Sequence, residues 1–100
     1  MKLSIIVPVF NEDATIDKII NKVKKVNLKN IDSKELIVID DGSTDGTKQI
    51  LEGYSDNMDI KIHFQDHNMG KGAAVRKGIG MSSGDLCIIH DADLEYNPEE

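Results

Sequence analysis

The chain has 100 residues, with 12 Lys+Arg against 18 Asp+Glu and a formal net charge of −6. A chain of that length buries roughly 60–70% of its extended surface on folding, enough for one sheet with helices and too little for two domains. The acidic total works against non-specific binding to DNA, RNA or anionic lipid, which needs clustered Lys and Arg.

Residues 3–9 (LSIIVPV) are β-branched and almost continuously apolar, the pattern of a strand covered on both faces in a parallel sheet. Ile16, Ile19, Ile20, Val23 and Val26 then recur every three or four residues opposite Lys18, Lys22 and Lys25. This predicts a helix over 13–26, with Asn11 or Asp13 as its cap. Residues 34–39 (KELIVI) form a second buried strand, and the turn-rich Asp40-Asp41-Gly42-Ser43-Thr44-Asp45-Gly46 leads into a helix near 45–54 with Ile50, Leu51 and Tyr54 on its core face.

Ile60, Ile62 and Phe64 alternate with Lys61 and His63, predicting a half-exposed, peripheral third strand. Gly70-Lys71-Gly72 opens a third helix whose Ala73, Ala74, Val75 and Ile79 let it approach a sheet closely, before Ser82-Ser83-Gly84 ends it. A fourth strand spans 85–90, and Asn97-Pro98-Glu99-Glu100 has the form of a helix start. The fold class is therefore α/β, a parallel sheet with right-handed crossovers and predicted order 3-2-1-4. Because the chain stops where a helix should begin, strand four is expected to be a bare edge, and the chain to be part of a larger domain.

Cys87 is the single cysteine and has no internal disulfide partner, so a reduced, cytoplasmic setting is expected. Ile5 to Phe10 and Leu36 to Ile39 fall far short of the roughly 20 residues that cross a bilayer. The start Met1-Lys2-Leu3-Ser4 does not read as a signal peptide.

In open α/β sheets, ligands bind beyond the carboxyl ends of the strands. Asn11 and Glu12 follow strand one, Asp40 and Asp41 follow strand two, and Asp91, Asp93 and Glu95 follow strand four. Asp91-Ala92-Asp93 places carboxylates at alternate positions, a form that can converge on one hard cation, although Asp-x-Asp is also common in solvated turns. Asp40-Asp41-Gly42-Ser43 reads equally as an Asx turn using one aspartate and the serine, or as a strand-end acid that accepts from a base or ribose. Gly70-Lys71-Gly72 is either a tight turn or a phosphate cradle.

Several motifs fail on spacing. Lys71 is followed by Gly72 and not Ser/Thr, so there is no P-loop, and no glycine follows strand one as a dinucleotide fingerprint requires. The Asp41 to Glu52 segment approximates a calcium loop, but it follows a strand, and Lys48 takes the loop's apolar position. His63, His67 and His90 lack zinc spacing.

Taken together, Ser4-Ile5-Ile6-Val7-Pro8-Val9-Phe10-Asn11-Glu12, Ile39 to Thr47, Asn68-Met69-Gly70-Lys71-Gly72-Ala73-Ala74 and Asp91-Ala92-Asp93-Leu94-Glu95-Tyr96 resemble family 2 glycosyltransferases of the GT-A fold in order and spacing. Within that family the chain is most similar to the dolichyl-phosphate mannosyltransferase and polyprenyl-phosphate glycosyltransferase branch. The resemblance implies a UDP- or GDP-linked sugar donor and a divalent cation, Mg²⁺ or Mn²⁺. It implies that Pro8, Asn11 and Glu12 line the nucleotide pocket, that Asp40 or Asp41 contacts base or ribose, and that Lys71 is a further nucleotide contact. By the same resemblance, Asp91 and Asp93 hold the cation against the diphosphate, with Glu95 as a third ligand.

Residues 1–100 would then be the N-terminal nucleotide-sugar-binding part, with the acceptor site and any catalytic base outside this chain. A polyprenyl phosphate acceptor would imply membrane association of a full-length protein. Two other enzyme or signalling classes fit less well. A sugar-phosphate nucleotidyltransferase would carry a Gly-rich, Arg-bearing loop after strand one, and a receiver-like module would place its acidic pair there instead of after strand two. A non-catalytic module that binds nucleotide or metal, or assembles with a second copy through its bare edge, is the remaining alternative.

Overall fold

A computed structural model describes residues 1–90. The elements in chain order are β1 (Lys2–Val9), α1 (Ile16–Lys24), β2 (Ser33–Asp40), α2 (Thr47–Glu52), β3 (Ile60–Phe64), α3 (Lys71–Met81) and β4 (Leu86–Ile89). All strand pairs are parallel and the order is β3-β2-β1-β4, as the alternation of strands and helices predicts. The carboxylates Asp91, Asp93 and Glu95 and the helix start at Asn97–Glu100 lie outside the described residues.

Period-two alternation sorts the strand side chains onto two covered faces. Leu3, Ile5, Val7 and Val9 of β1 join Leu36 and Val38 of β2 and Ile60 of β3 on the face packed by Ile16, Ile19, Ile20 and Val23 of α1 and Leu51 of α2. Ile50 and Tyr54 pack partly against the same cluster, and the Tyr54 hydroxyl donates to Asp17 at 2.6 Å, tying the end of α2 to α1. Ile6, Ile37 and Ile39 face the other way, onto Ala74 of α3.

The expected close approach of α3 is made by glycine as well as alanine. A Cβ on Gly78 would stand 2.5 Å from Ile6 Cγ2, whereas one on Gly80 meets nothing within 4 Å. Gly78→Ala is therefore expected to lower stability by about 1–2 kcal/mol after its gain in helix propensity. Gly80→Ala in the same helix is expected to raise it by about 0.5–1 kcal/mol. Urea midpoints that moved in the same direction for both would contradict this packing.

Two local expectations change. The first helix starts at Ile16, with Thr15 at its N-cap position and no side-chain cap. Asn11 and Asp13 do not cap it, because their side chains reach across to the segment before α2. At the far edge, β4 is as exposed as expected, with Leu86 and Ile89 about half in solvent and Cys87 exposed. No helix among the described residues is long and apolar enough to cross a membrane.

A candidate functional site at the carboxyl ends of β1 and β2

The β1–β2 ladder continues to Val9↔Asp40, and among the described residues the β1–β4 ladder runs to Ile6↔Ile89. The carbonyls of Lys2 and Ile6 accept from Asp85 N and His90 N, so alternate β1 residues turn their backbone groups toward β4. Pro8 is next in that series and has no N–H to give to a neighbouring strand. The order β3-β2-β1-β4 changes direction between β1 and β4, and the carboxyl end of that switch point is where open α/β sheets receive ligands.

Beyond β1 and β2, two loops are stitched together. Asn11 adopts φ 53°, its N–H donates to Ser43 Oγ at 2.9 Å, and its side-chain oxygen accepts from Thr44 N at 2.8 Å and Asp45 N at 3.3 Å. Positive φ is tolerable for Asn because its short polar side chain bonds locally. Glu12 N donates to Thr47 Oγ1 at 2.8 Å, while the Glu12 carboxylate accepts from Thr15 Oγ1 at 2.7 Å. Asp13 and Asp45 bridge the same seam, Asp13 accepting from Gly46 N and Asp45 from Asp13 N. Burial pushes Asp45 up, but the Thr47 hydroxyl and N–H together with Asp13 N–H outweigh it and hold the carboxyl below its ordinary value.

The adjacent aspartates have separate partners. Asp40, 1% exposed at the end of β2, accepts from the Ser43 hydroxyl and, at 3.4 Å, from Ser43 N. That is the Asx turn, and it uses one aspartate and the serine. Burial raises the Asp40 carboxyl above its ordinary value, the Ser43 bonds oppose the shift, and the Asp45 and Asp41 charges add to it. Asp41, also buried, turns the other way: Oδ1 accepts from Met69 N at 2.8 Å and Oδ2 from Gly70 N at 3.0 Å. Lys71, exposed, follows as the first residue of α3.

Pro8, Asn11, Glu12, Asp40, Asp41 and Lys71 thus converge on one end of the sheet. Among the described residues, no group of three or more His, Cys, Asp or Glu could hold a metal ion. In the sequence, Asp91 follows His90 directly.

A profile described as Glycosyl transferase family 2 matches residues 4–100. The chain belongs to glycosyl transferase family 2. This family 2 chain is 36% identical over 103 residues to an undecaprenyl-phosphate 4-deoxy-4-formamido-L-arabinose transferase of Proteus mirabilis, covering 99% of this chain and 31% of that protein. It spans about a third of the length of the curated relatives it matches. S. aureus TarS 1-349 in complex with UDP-GlcNAc superposes with a TM-score of 0.77 at 31% identity, over 93% of this chain and 27% of that one. A Mycobacterium tuberculosis glucosyl-3-phosphoglycerate synthase in complex with Mn²⁺, UDP and glucosyl-3-phosphoglycerate superposes at 0.69 and 28% identity, over 92% and 33%. The fold is that of the GT-A glycosyltransferases.

Sequence reasoning missed the service of Asn11 and Asp13 to the opposite loop and the burial of Glu35. The signal for Glu35 was an acid immediately before the apolar run 36–39, with Lys2 and Lys61 near the starts of the flanking strands.

Proposed function

We propose that residues 1–100 are the nucleotide-sugar-binding part of a glycosyltransferase that takes a UDP- or GDP-linked sugar and delivers it to a polyprenyl phosphate. The observation that carries this reading is the topological switch point between β1 and β4, with Asn11, Glu12 and Asp40 gathered at the carboxyl ends of β1 and β2 in a family 2 chain. Asp40 is assigned to the base or ribose. A carboxylate offers about four lone-pair sites, and among the described residues Ser43 alone draws on those of Asp40.

Asp91, Asp93 and Glu95 are assigned to a divalent cation, Mn²⁺ or Mg²⁺, by their place after β4 and by the Mn²⁺ and UDP bound in the mycobacterial relative. When bound, that cation neutralises charge developing on the departing nucleoside diphosphate. The chain's own described residues hold the nucleotide and orient its diphosphate toward β4. A phosphate acceptor is already anionic and needs little base assistance, so the acceptor half supplies position more than proton transfer. The undecaprenyl-phosphate transferase relatives support that acceptor class, and with it membrane association of the whole protein.

Calorimetry with UDP, GDP and their sugar conjugates, with and without Mn²⁺, tests the reading. Binding is expected to strengthen with Mn²⁺, and Asp93→Ala to abolish the metal effect. Asp40→Asn keeps the shape and removes a charge that burial already disfavours, so it is expected to fold and to weaken nucleotide binding about tenfold. Equal weak heats for every nucleotide, indifferent to Mn²⁺ and to both substitutions, would refute it.

A further inference from the structure

The acidic total conceals a segregation of charge. Residues 18–31 hold five lysines and no acid, a charge of +5 in a chain of −6, so the other residues together carry −11. Lys18, Lys22 and Lys25 recur every three or four residues on the side of α1 opposite its buried Ile16, Ile19, Ile20 and Val23, and Lys24 and Lys29 stand at its carboxyl end. All five are exposed, and among the described residues none is ion-paired. Asp17, the acid of α1, accepts from Tyr54 of α2 instead. The fold does not require the stripe. Lys34 Nζ donates to the carbonyls of Lys24 and Val26, which supplies the cation that the negative end of α1 favours, and like charges four apart, as at Lys18 and Lys22, lower helix stability.

We propose that this lysine stripe is a docking surface for an anionic phospholipid bilayer. The inference rests on the reading of the acceptor as a polyprenyl phosphate, a substrate borne in a membrane. Because α1 runs back from the carboxyl end of β1, Lys18 in its first turn stands at the same end of the sheet as Asn11 and Asp40, and a bilayer along the stripe passes beside that end. Attraction of lysine to an anionic surface falls off within a Debye length, about 8 Å at physiological salt. The molecule extends 38 × 33 × 25 Å, so acids on its other faces are screened from a bilayer that the stripe touches. Leu28, 43% exposed between Lys25 and Lys29, adds an apolar contact at the headgroup level.

Cosedimentation with vesicles tests it, using phosphatidylcholine alone and phosphatidylcholine mixed with phosphatidylglycerol. The chain is expected to bind the mixed vesicles, to ignore phosphatidylcholine alone, and to be released as salt is raised. Lys22→Gln with Lys25→Gln removes two charges without loss of helix propensity, and is expected to weaken vesicle binding on the order of 25-fold, about fivefold per lysine. Arg76→Gln with Lys77→Gln makes the same change in net charge on exposed positions of α3, across the sheet, and is expected to alter binding by less than about twofold. Equal losses in the two double variants would assign the binding to net charge and overturn the docking surface. Failure to bind the mixed vesicles would overturn it too, as would binding to duplex DNA as tightly as to vesicles at the same salt. UDP calorimetry on the same samples keeps the two readings apart. Both double variants are expected to bind UDP as the unsubstituted chain does, and a chain that docked on vesicles but bound no nucleotide would refute the donor site while the docking surface stood.

Discussion

Gly42→Ala is expected to cost about 3 kcal/mol or more of folding stability, a large part of the roughly 5–15 kcal/mol available to a domain of this size. Two costs add. The residue sits at φ 73°, where a Cβ costs about 1–2 kcal/mol. The added methyl also drives into the backbone of His67 and Asn68, which cannot rotate away as a flexible side chain could. The same backbone carries the Met69 and Gly70 amides that Asp41 holds. Urea unfolding gives the stability, and amide exchange at Met69 locates the loss. A midpoint within about 0.5 kcal/mol of the unsubstituted chain, the range of an ordinary surface change, would show that the two loops do not meet as described.

The second large effect is at the opposite end of the sheet. Glu35, 4% exposed at the start of β2, accepts from Ser4 Oγ at 2.6 Å and from Ser83 N at 2.7 Å, and pairs with Lys61 Nζ at 2.9 Å and Lys2 Nζ at 3.6 Å. One carboxylate thereby joins β1, β2, β3 and the turn before β4. Burial pushes its pKa up, but the Ser4, Ser83 and Lys61 bonds outweigh burial and bring it down from 4.5 to about 2.

A group whose pKa is lowered by folding contributes its full stability above its unfolded value, here 4.5, and loses it as pH falls toward about 2. The shift corresponds to at most about 3 kcal/mol, and to less in practice because both lysines are about 40% exposed and partly screened. Glu35→Ala is expected to cost about 2–3 kcal/mol at pH 7, since it also leaves the buried Ser4 hydroxyl without its acceptor. The gap between Glu35→Ala and the unsubstituted chain is expected to shrink markedly between pH 5 and pH 3. A gap that stayed constant over that range would assign the cost to lost packing instead of lost charge.

Both predictions concern features that local pattern does not display. Gly42 reads as one more turn glycine in Asp-Asp-Gly-Ser, and only the loop 25 residues further on, lying against it, makes it irreplaceable. Glu35 reads as a polar residue at a strand start. Its partners Lys2, Lys61 and Ser83 are adjacent because a parallel sheet in this order aligns the beginnings of all four strands. Asn11 and Asp13 look like helix caps on local grounds. They are drawn away because the second loop offers the N–H groups of Thr44 and Gly46 within reach.

What the sequence by itself determined is the order and type of the elements, the sheet order 3-2-1-4, the apolar face of α1 and the gathering of acids at the strand ends. Those follow from periodicities of two and 3.6, which are written along the chain and are enforced by burial of one face or both. Only the tertiary structure decided which acid takes which partner: that Asp40 accepts from the Ser43 hydroxyl while Asp41 grips Met69 and Gly70. Hydrogen bonds are short-ranged and directional, so their choice among several nearby carboxylates depends on loop separations of an ångström or less, fixed where segments some 30 residues apart are packed together.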